Sequence, residues 1–131
     1  MSTLEHDLRN LSCAGFSLWV DERRRFVIVE HVQLPLGYDR HWIPVLIELP
    51  RSYPMVPPGV GGNRVYIPKG MRFLGSLLQD VHPACTPNFI TPGWRDWAWL
   101  CYEKIDWNPL RDDLITFIEL IRANLTNPTT F

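Results

Sequence analysis

The chain has 131 residues, of which 46% are hydrophobic and 21% charged, and its formal net charge is -1. This length suits a single domain spanning residues 1–131, and the balance of apolar and charged residues excludes an intrinsically disordered chain. The near-neutral charge gives no indication of a nucleic-acid partner, and the longest apolar runs are too short to cross a membrane.

The amino-terminal segment and the cysteines indicate the compartment. The first residues, MSTLEHDLRNLS, are polar and charged and show no signal peptide. The three cysteines, Cys13, Cys85 and Cys101, are an odd number in a chain without a secretion signal, so we expect reduced thiols in a cytoplasmic protein.

The first half of the chain predicts a helix followed by strands. Residues 2–12 place leucines at helical spacing after a capping residue, either Ser2 or Thr3. Apolar alternation then predicts strands at 16–22, 25–35 and 42–50, and a short fourth strand at 63–68.

The second half predicts a long ordered loop and a final helix. Residues 69–106 are rich in proline, glycine and tryptophan and show no regular period, which predicts a loop. We expect this loop to be ordered, because its tryptophans need burial. Asn108 is a good N-cap, Pro109 fits the first helical position, and apolar residues recur at helical spacing as far as Leu125. The order of elements predicts an α+β fold, an antiparallel four-stranded meander with helices on one face or at its ends.

Two segments resemble the ubiquitin-conjugating enzyme fold. IELPRSYPMVPPGV, at 47–60, resembles the family's third strand and proline-rich crossover. CYEKIDWNPLRDDLITFIELIRANLTNP, at 101–128, resembles its active-site cysteine, its Trp-x-Pro helix start and its long helix. The family's last helices are not expected after residue 128. The chain is most similar to divergent bacterial members, which occur beside an activating enzyme and a deubiquitinase-like peptidase.

The resemblance implies a transferase that needs no cofactor. It would accept a ubiquitin-like protein from an activating enzyme as a thioester on Cys101 and pass it to an amine of a target protein. The alternative is a non-catalytic module on the same fold that binds or scaffolds a ubiquitin-like protein, although such variants usually lack the cysteine. From its aromatic neighbours alone, Cys101 could instead be a buried structural residue.

Three further residues are candidates for the chemistry. The family's His-Pro-Asn triplet is divided here between His82-Pro83 and the Thr86–Asn88 segment. Asn88 could stabilise an oxyanion or simply occupy a turn after Pro87, and His82 could be a basic group or a surface histidine. Asp106 could deprotonate the attacking amine or serve only as a polar residue near the final helix.

Other kinds of site are less consistent with the sequence. His82, Cys85 and Cys101 are three possible zinc ligands, but no fourth ligand has motif spacing, so we predict no metal site. No acyl-transfer signature of a cysteine protease surrounds Cys101. The aromatic segment GWRDWAW, at 93–99, could be a partner-binding patch or a set of buried aromatics.

Overall fold

A computed structural model of the chain describes residues 3–91, 96–102 and 106–131. Ser2 as a helix cap and residues 93–95 of the aromatic segment therefore lie outside the described residues. The helices are α1 (Leu4–Cys13) and α2 (Leu114–Asn124). The strands are β1 (Ser17–Val20), β2 (Phe26–Gln33), β3 (Trp42–Glu48), β4 (Val65–Pro68), β5 (Arg72–Phe73), β6 (Ser76–Leu77), β7 (Val81–His82) and β8 (Trp97–Leu100).

The main sheet has six strands in the order β1-β2-β3-β4-β8-β7, and all its neighbouring strands are antiparallel. The strands β5 and β6 form a separate two-stranded hairpin. These elements confirm the predicted α+β class, the four-stranded meander and the amino-terminal helix, which is capped by the Thr3 side chain. The sheet is larger than predicted because β8 and β7 continue it beyond β4.

The two faces of the sheet bury different side chains. Val27 and Val29 of β2 face the helices and join the main core with Ile118 of α2. Phe26 and Ile28 point to the opposite face and form a second cluster with Leu46, Tyr66 and Trp97. This division is the period-2 pattern that the sequence of β2 predicts, since alternate residues of a strand lie on opposite faces.

The start of the final helix differs from the prediction. Asn108 does not cap α2; its side-chain oxygen accepts a hydrogen bond from the Leu110 N–H, and residues 109–111 form a turn. The helix begins at Leu114 because Asp113 is its N-cap and accepts a hydrogen bond from the Thr116 N–H at 2.9 Å. Asn108 and Pro109 are thus turn residues, which is the other common use of this dipeptide.

The prediction of one long loop over residues 69–106 is also wrong. β8 lies within this segment and occupies an interior position of the sheet between β4 and β7. Three of its four residues, Trp97, Ala98 and Leu100, are buried. A strand that is buried on both faces lacks the alternation by which an exposed strand is found.

The helices are short: α1 has 10 residues and α2 has 11. Across residues 3–91, 96–102 and 106–131, no helix has the length and apolar character needed to span a membrane.

The proline-rich crossover after β3 is tied to both helical regions. The Tyr53 hydroxyl donates a hydrogen bond to the Asp7 carboxylate of α1, and Asp7 is only 1% exposed. The Trp107 indole N–H donates to the Pro54 carbonyl at 2.7 Å, and its ring packs against Tyr53. These contacts anchor the crossover to α1 and to the segment that precedes α2.

We predict that Asp21→Asn lowers the free energy of unfolding by about 1–2 kcal/mol at pH 7. The Asp21 carboxylate accepts hydrogen bonds from the backbone N–H and the guanidinium of Arg25, and the guanidinium bonds lower its pKa from 3.8 to about 2. Because the folded pKa is depressed, this stabilisation is present above about pH 4 and is lost as the pH falls towards 2. Urea unfolding at pH 7 and pH 3 checks both points: the variant should differ less from the wild type at pH 3.

Candidate active site

Cys101 directly follows β8 and is held there by the sheet. Its backbone N–H donates a hydrogen bond to the Asp80 carbonyl at 2.9 Å, which continues the pairing of β8 with β7. The side chain is half-buried and the thiol is free, as are those of Cys13 and Cys85. The sulfur is therefore fixed by a regular strand pair and still has access to solvent.

The structure places His82 beside this sulfur. The His82 Nε2 lies 3.0 Å from the Cys101 Sγ, within hydrogen-bonding distance. Residue 82 pairs with Trp99 across β7 and β8, so its side chain is on the same face as Cys101, two residues further along. When Nε2 is unprotonated, the thiol can donate its proton to it, which makes the pair a nucleophile with an adjacent base.

The electrostatic surroundings favour the neutral thiol. Burial raises the pKa of Cys101 above its ordinary value, and the negative charge of Asp80 raises it further. The Arg64 guanidinium acts in the opposite direction and lowers the pKa of Cys101. Because the thiolate is the reactive form, a group that removes the thiol proton at neutral pH is useful here.

Two clefts meet at Cys101. The first, of about 200 Å³, is mostly apolar and is walled by Pro57, Pro58, Val60, Trp99, Tyr102 and Phe117. The Tyr102 hydroxyl donates to the Pro58 carbonyl at 3.1 Å, and a side chain at Gly59 (φ +82°) would collide with that hydroxyl. We call this the proline-walled cleft.

The second cleft, of about 330 Å³, is more polar. Its lining includes Asp80, Asn124, Asn127 and Thr129 as well as Cys101. We call it the polar cleft. Cys101 thus borders two spaces of different chemistry, an apolar one on the side of the crossover and a polar one that contains a carboxylate.

Asn88 is exposed, but its amide group is held by specific partners. Its backbone N–H and its Nδ2 both donate to the Glu48 carboxylate, at 2.8 and 2.9 Å, and Nδ2 also donates to the Gly62 carbonyl at 2.9 Å. Both hydrogens of the amide nitrogen are therefore used. An oxyanion role for Asn88, which stays a prediction, would require one of these bonds to open.

Glu48 is the buried charge that organises this region. It is 0% exposed, and burial raises its pKa although its carboxylate accepts hydrogen bonds from Asn88 and from the Arg64 N–H. These bonds connect β3 to the segment before β4 and to the loop after β7. Glu48 thereby fixes the backbone on which Arg64 and Asn88 are carried.

We expect Glu48→Gln to lower the free energy of unfolding by about 1–3 kcal/mol, because an amide cannot accept all three hydrogen bonds and leaves a buried donor unpaired. Hydrogen exchange followed by mass spectrometry should show faster exchange around Asn88, whereas α1 should be unaffected. Equal exchange in variant and wild type around Asn88 would contradict this account.

The carboxylate that lines a cleft beside Cys101 is Asp80 and not the predicted Asp106. Asp106 is exposed and lines neither of the two clefts, whereas Asp80, which sequence reasoning missed, lines the polar cleft. Nothing in the sequence marks Asp80, because its proximity to Cys101 comes only from the pairing of β7 with β8. Within the described parts of the chain, no group of three or more histidine, cysteine or acidic side chains is placed to hold a metal ion.

Comparison with known proteins shows the family to which this chain and its site belong. The site consists of a half-buried cysteine on an α+β domain, with an imidazole at its sulfur and two clefts beside it. The chain belongs to the prokaryotic E2 family E, whose model matches residues 3–127. No curated protein and no solved structure matches the chain significantly. The family match confirms the resemblance to a divergent bacterial ubiquitin-conjugating-like protein.

Proposed function

We propose that this protein is a ubiquitin-conjugating-like transferase that carries a ubiquitin-like protein as a thioester on Cys101. The observation that supports this most strongly is the 3.0 Å contact between the Cys101 Sγ and the His82 Nε2 in a chain of the E2 family. A purely structural cysteine has no need of an imidazole at its sulfur or of two clefts leading to it. The partners would be an activating-enzyme-like protein, the ubiquitin-like protein and a target amine, and the setting would be the cytoplasm.

Loading of Cys101 is a transthioesterification, in which the acyl group passes from one sulfur to another. The Cys101 thiol gives its proton to the His82 Nε2, and the sulfur attacks the carbonyl carbon of the thioester on the activating enzyme. A new C–S bond forms to Cys101, the bond to the activating enzyme's sulfur breaks, and that sulfur leaves as a thiolate and is reprotonated. The proline-walled cleft is small and mostly apolar, which suits the extended carboxyl-terminal tail of the incoming protein.

Discharge would take place from the polar cleft. An amine that has lost one proton attacks the thioester carbonyl, a C–N bond forms, and the C–S bond to Cys101 breaks. The Cys101 sulfur leaves as a thiolate and recovers a proton from the surroundings, while the nitrogen loses its excess proton. Asp80 is the carboxylate that lines this cleft, so it is better placed than Asp106 to attract a cationic amine.

The test uses the complete system. The chain is mixed with an activating-enzyme-like protein, a ubiquitin-like protein and ATP, and the products are separated on a non-reducing gel. We expect a higher-mass adduct that disappears on treatment with a thiol reductant. Binding of the ubiquitin-like protein without any such adduct would contradict the proposal and favour a non-catalytic binding module.

A further inference from the structure

One side chain joins the groups around the Cys101 sulfur. Trp99 on β8 is paired with Tyr66 on β4 and with His82 on β7, so these three side chains form a row on one face of the sheet. The strand β7 has only two residues and lies at the sheet edge, and His82 is exposed. Strand pairing alone therefore leaves its ring free to rotate, and its position at the sulfur depends on side-chain contacts.

The contacts that limit this rotation run through Trp99. The His82 and Trp99 rings are 4.9 Å apart, and the Arg64 guanidinium carbon lies 4.1 Å from the Trp99 ring centroid. The backbone of Arg64 is itself fixed, because its N–H donates to the Glu48 carboxylate at 2.8 Å and its carbonyl accepts from the Glu48 N–H at 3.0 Å. A guanidinium carried on this fixed backbone, an indole and an imidazole thus lead in sequence to the thiol.

We propose that Arg64 and Trp99 are positioning residues that hold the His82 imidazole against the Cys101 thiol. The proposal rests on the proposed function, because it explains how the base of the Cys101 nucleophile is held in place. A cation over an indole is favourable, and an imidazole packed on the same indole loses rotational freedom before the reaction begins. Arg64 has a second effect through its charge, which opposes the contribution of Asp80 at the sulfur.

Alkylation of Cys101 by iodoacetamide tests this without any acyl donor. Rates of alkylation are measured from pH 6 to pH 10, and each is assigned to its cysteine by mass spectrometry of tryptic peptides. Cys101 lies in the peptide of residues 96–104, and exposed Cys13 lies in the peptide of residues 10–23. Cys13 serves as the internal reference. At pH 7 we expect Cys101 in Trp99→Ala and in Arg64→Gln to react about tenfold more slowly than in the wild type. The same loss is expected in His82→Gln.

The conservative variants and high pH separate positioning from folding. Trp99→Phe keeps an aromatic ring, and Arg64→Lys keeps the charge but not the planar stacking group, so both should recover part of the rate at pH 7. At pH 10 all variants should react alike, because hydroxide then removes the thiol proton without help from histidine. If Trp99→Ala does not fold, Arg64→Gln and Trp99→Phe are sufficient for the comparison.

The proposal is overturned if Trp99→Ala and Arg64→Gln keep the wild-type rate at pH 7 while His82→Gln loses it. It is also overturned if His82→Gln itself has no effect. A failure to form the thioester adduct, with the alkylation pattern as expected, would instead remove the proposed transferase function and leave the positioning of His82 established.

Discussion

The Cys101→Ala variant is expected to form no thiol-sensitive adduct with a ubiquitin-like protein, whereas the wild type forms one. Cys101 is the cysteine at which the imidazole and the two clefts meet, so its removal leaves the acyl group without a carrier. The loss should be complete at every pH, because alanine has no thiol with which to form the thioester. The measurement is the non-reducing gel described above.

Three controls make this result specific. Cys85→Ala and Cys13→Ala should each form as much adduct as the wild type, although Cys85 is close enough to influence the pKa of Cys101. Cys101→Ser should give a smaller amount of an oxygen ester that survives thiol reductants. An adduct that persists in Cys101→Ala, or one that disappears in Cys85→Ala, would show that the carrier has been misassigned.

The second large effect concerns His82. We expect His82→Gln to slow loading of Cys101 by about 100-fold at pH 7, the lower end of the range usual for the loss of a general base. Glutamine can still form a hydrogen bond but cannot take up the thiol proton. Because burial raises the pKa of Cys101, little thiolate forms at neutral pH without a base.

The loading deficit of His82→Gln should become smaller as the pH rises. Without His82, loading should follow the fraction of Cys101 present as thiolate, so the deficit should shrink by about tenfold for each pH unit of increase. A matched control is His41→Gln, since His41 is also an exposed histidine whose ring contacts a tryptophan, Trp42. A deficit in His82→Gln that stays constant from pH 7 to pH 9 would contradict the general-base role.

The sequence was most informative where elements are amphipathic and local. Leu4, Leu8 and Leu11 predict α1, and the alternation in β2 predicts which side chains face the helices. Both patterns arise because one side of the element meets the core and the other meets solvent or a second layer. The class of fold follows from such elements and their order.

The elements that build the site were harder to predict for physical reasons. β8 is buried on both faces, so its residues do not alternate, and β7 has only two residues, too few to show any period. Asn108 and Pro109 form a turn because Asp113 offers the helix a competing cap five residues later. In each case the outcome depends on packing against distant strands.

The residues of the candidate site were also hard to connect from the sequence alone. Cys101 and His82 could each be selected as chemically capable residues, but they are 19 positions apart and meet only because β7 pairs with β8. The place of Asp80 depends on the same pairing, and that of Arg64 depends on the pairing of β4 with β8, so neither residue carries a local signal. Asn88 has a clear partner in Glu48, a buried acid 40 residues away that no sequence pattern connects to it.

The most direct test of the central claim is to locate the acyl group. The adduct is formed under non-reducing conditions, digested with trypsin and analysed by mass spectrometry, since the three cysteines fall in different peptides: residues 10–23, 73–95 and 96–104. We predict that the carboxyl-terminal remnant of the ubiquitin-like protein is found on residues 96–104, which contain Cys101. A remnant on residues 73–95 or 10–23, with 96–104 unmodified, would contradict the assignment of Cys101 as the carrier.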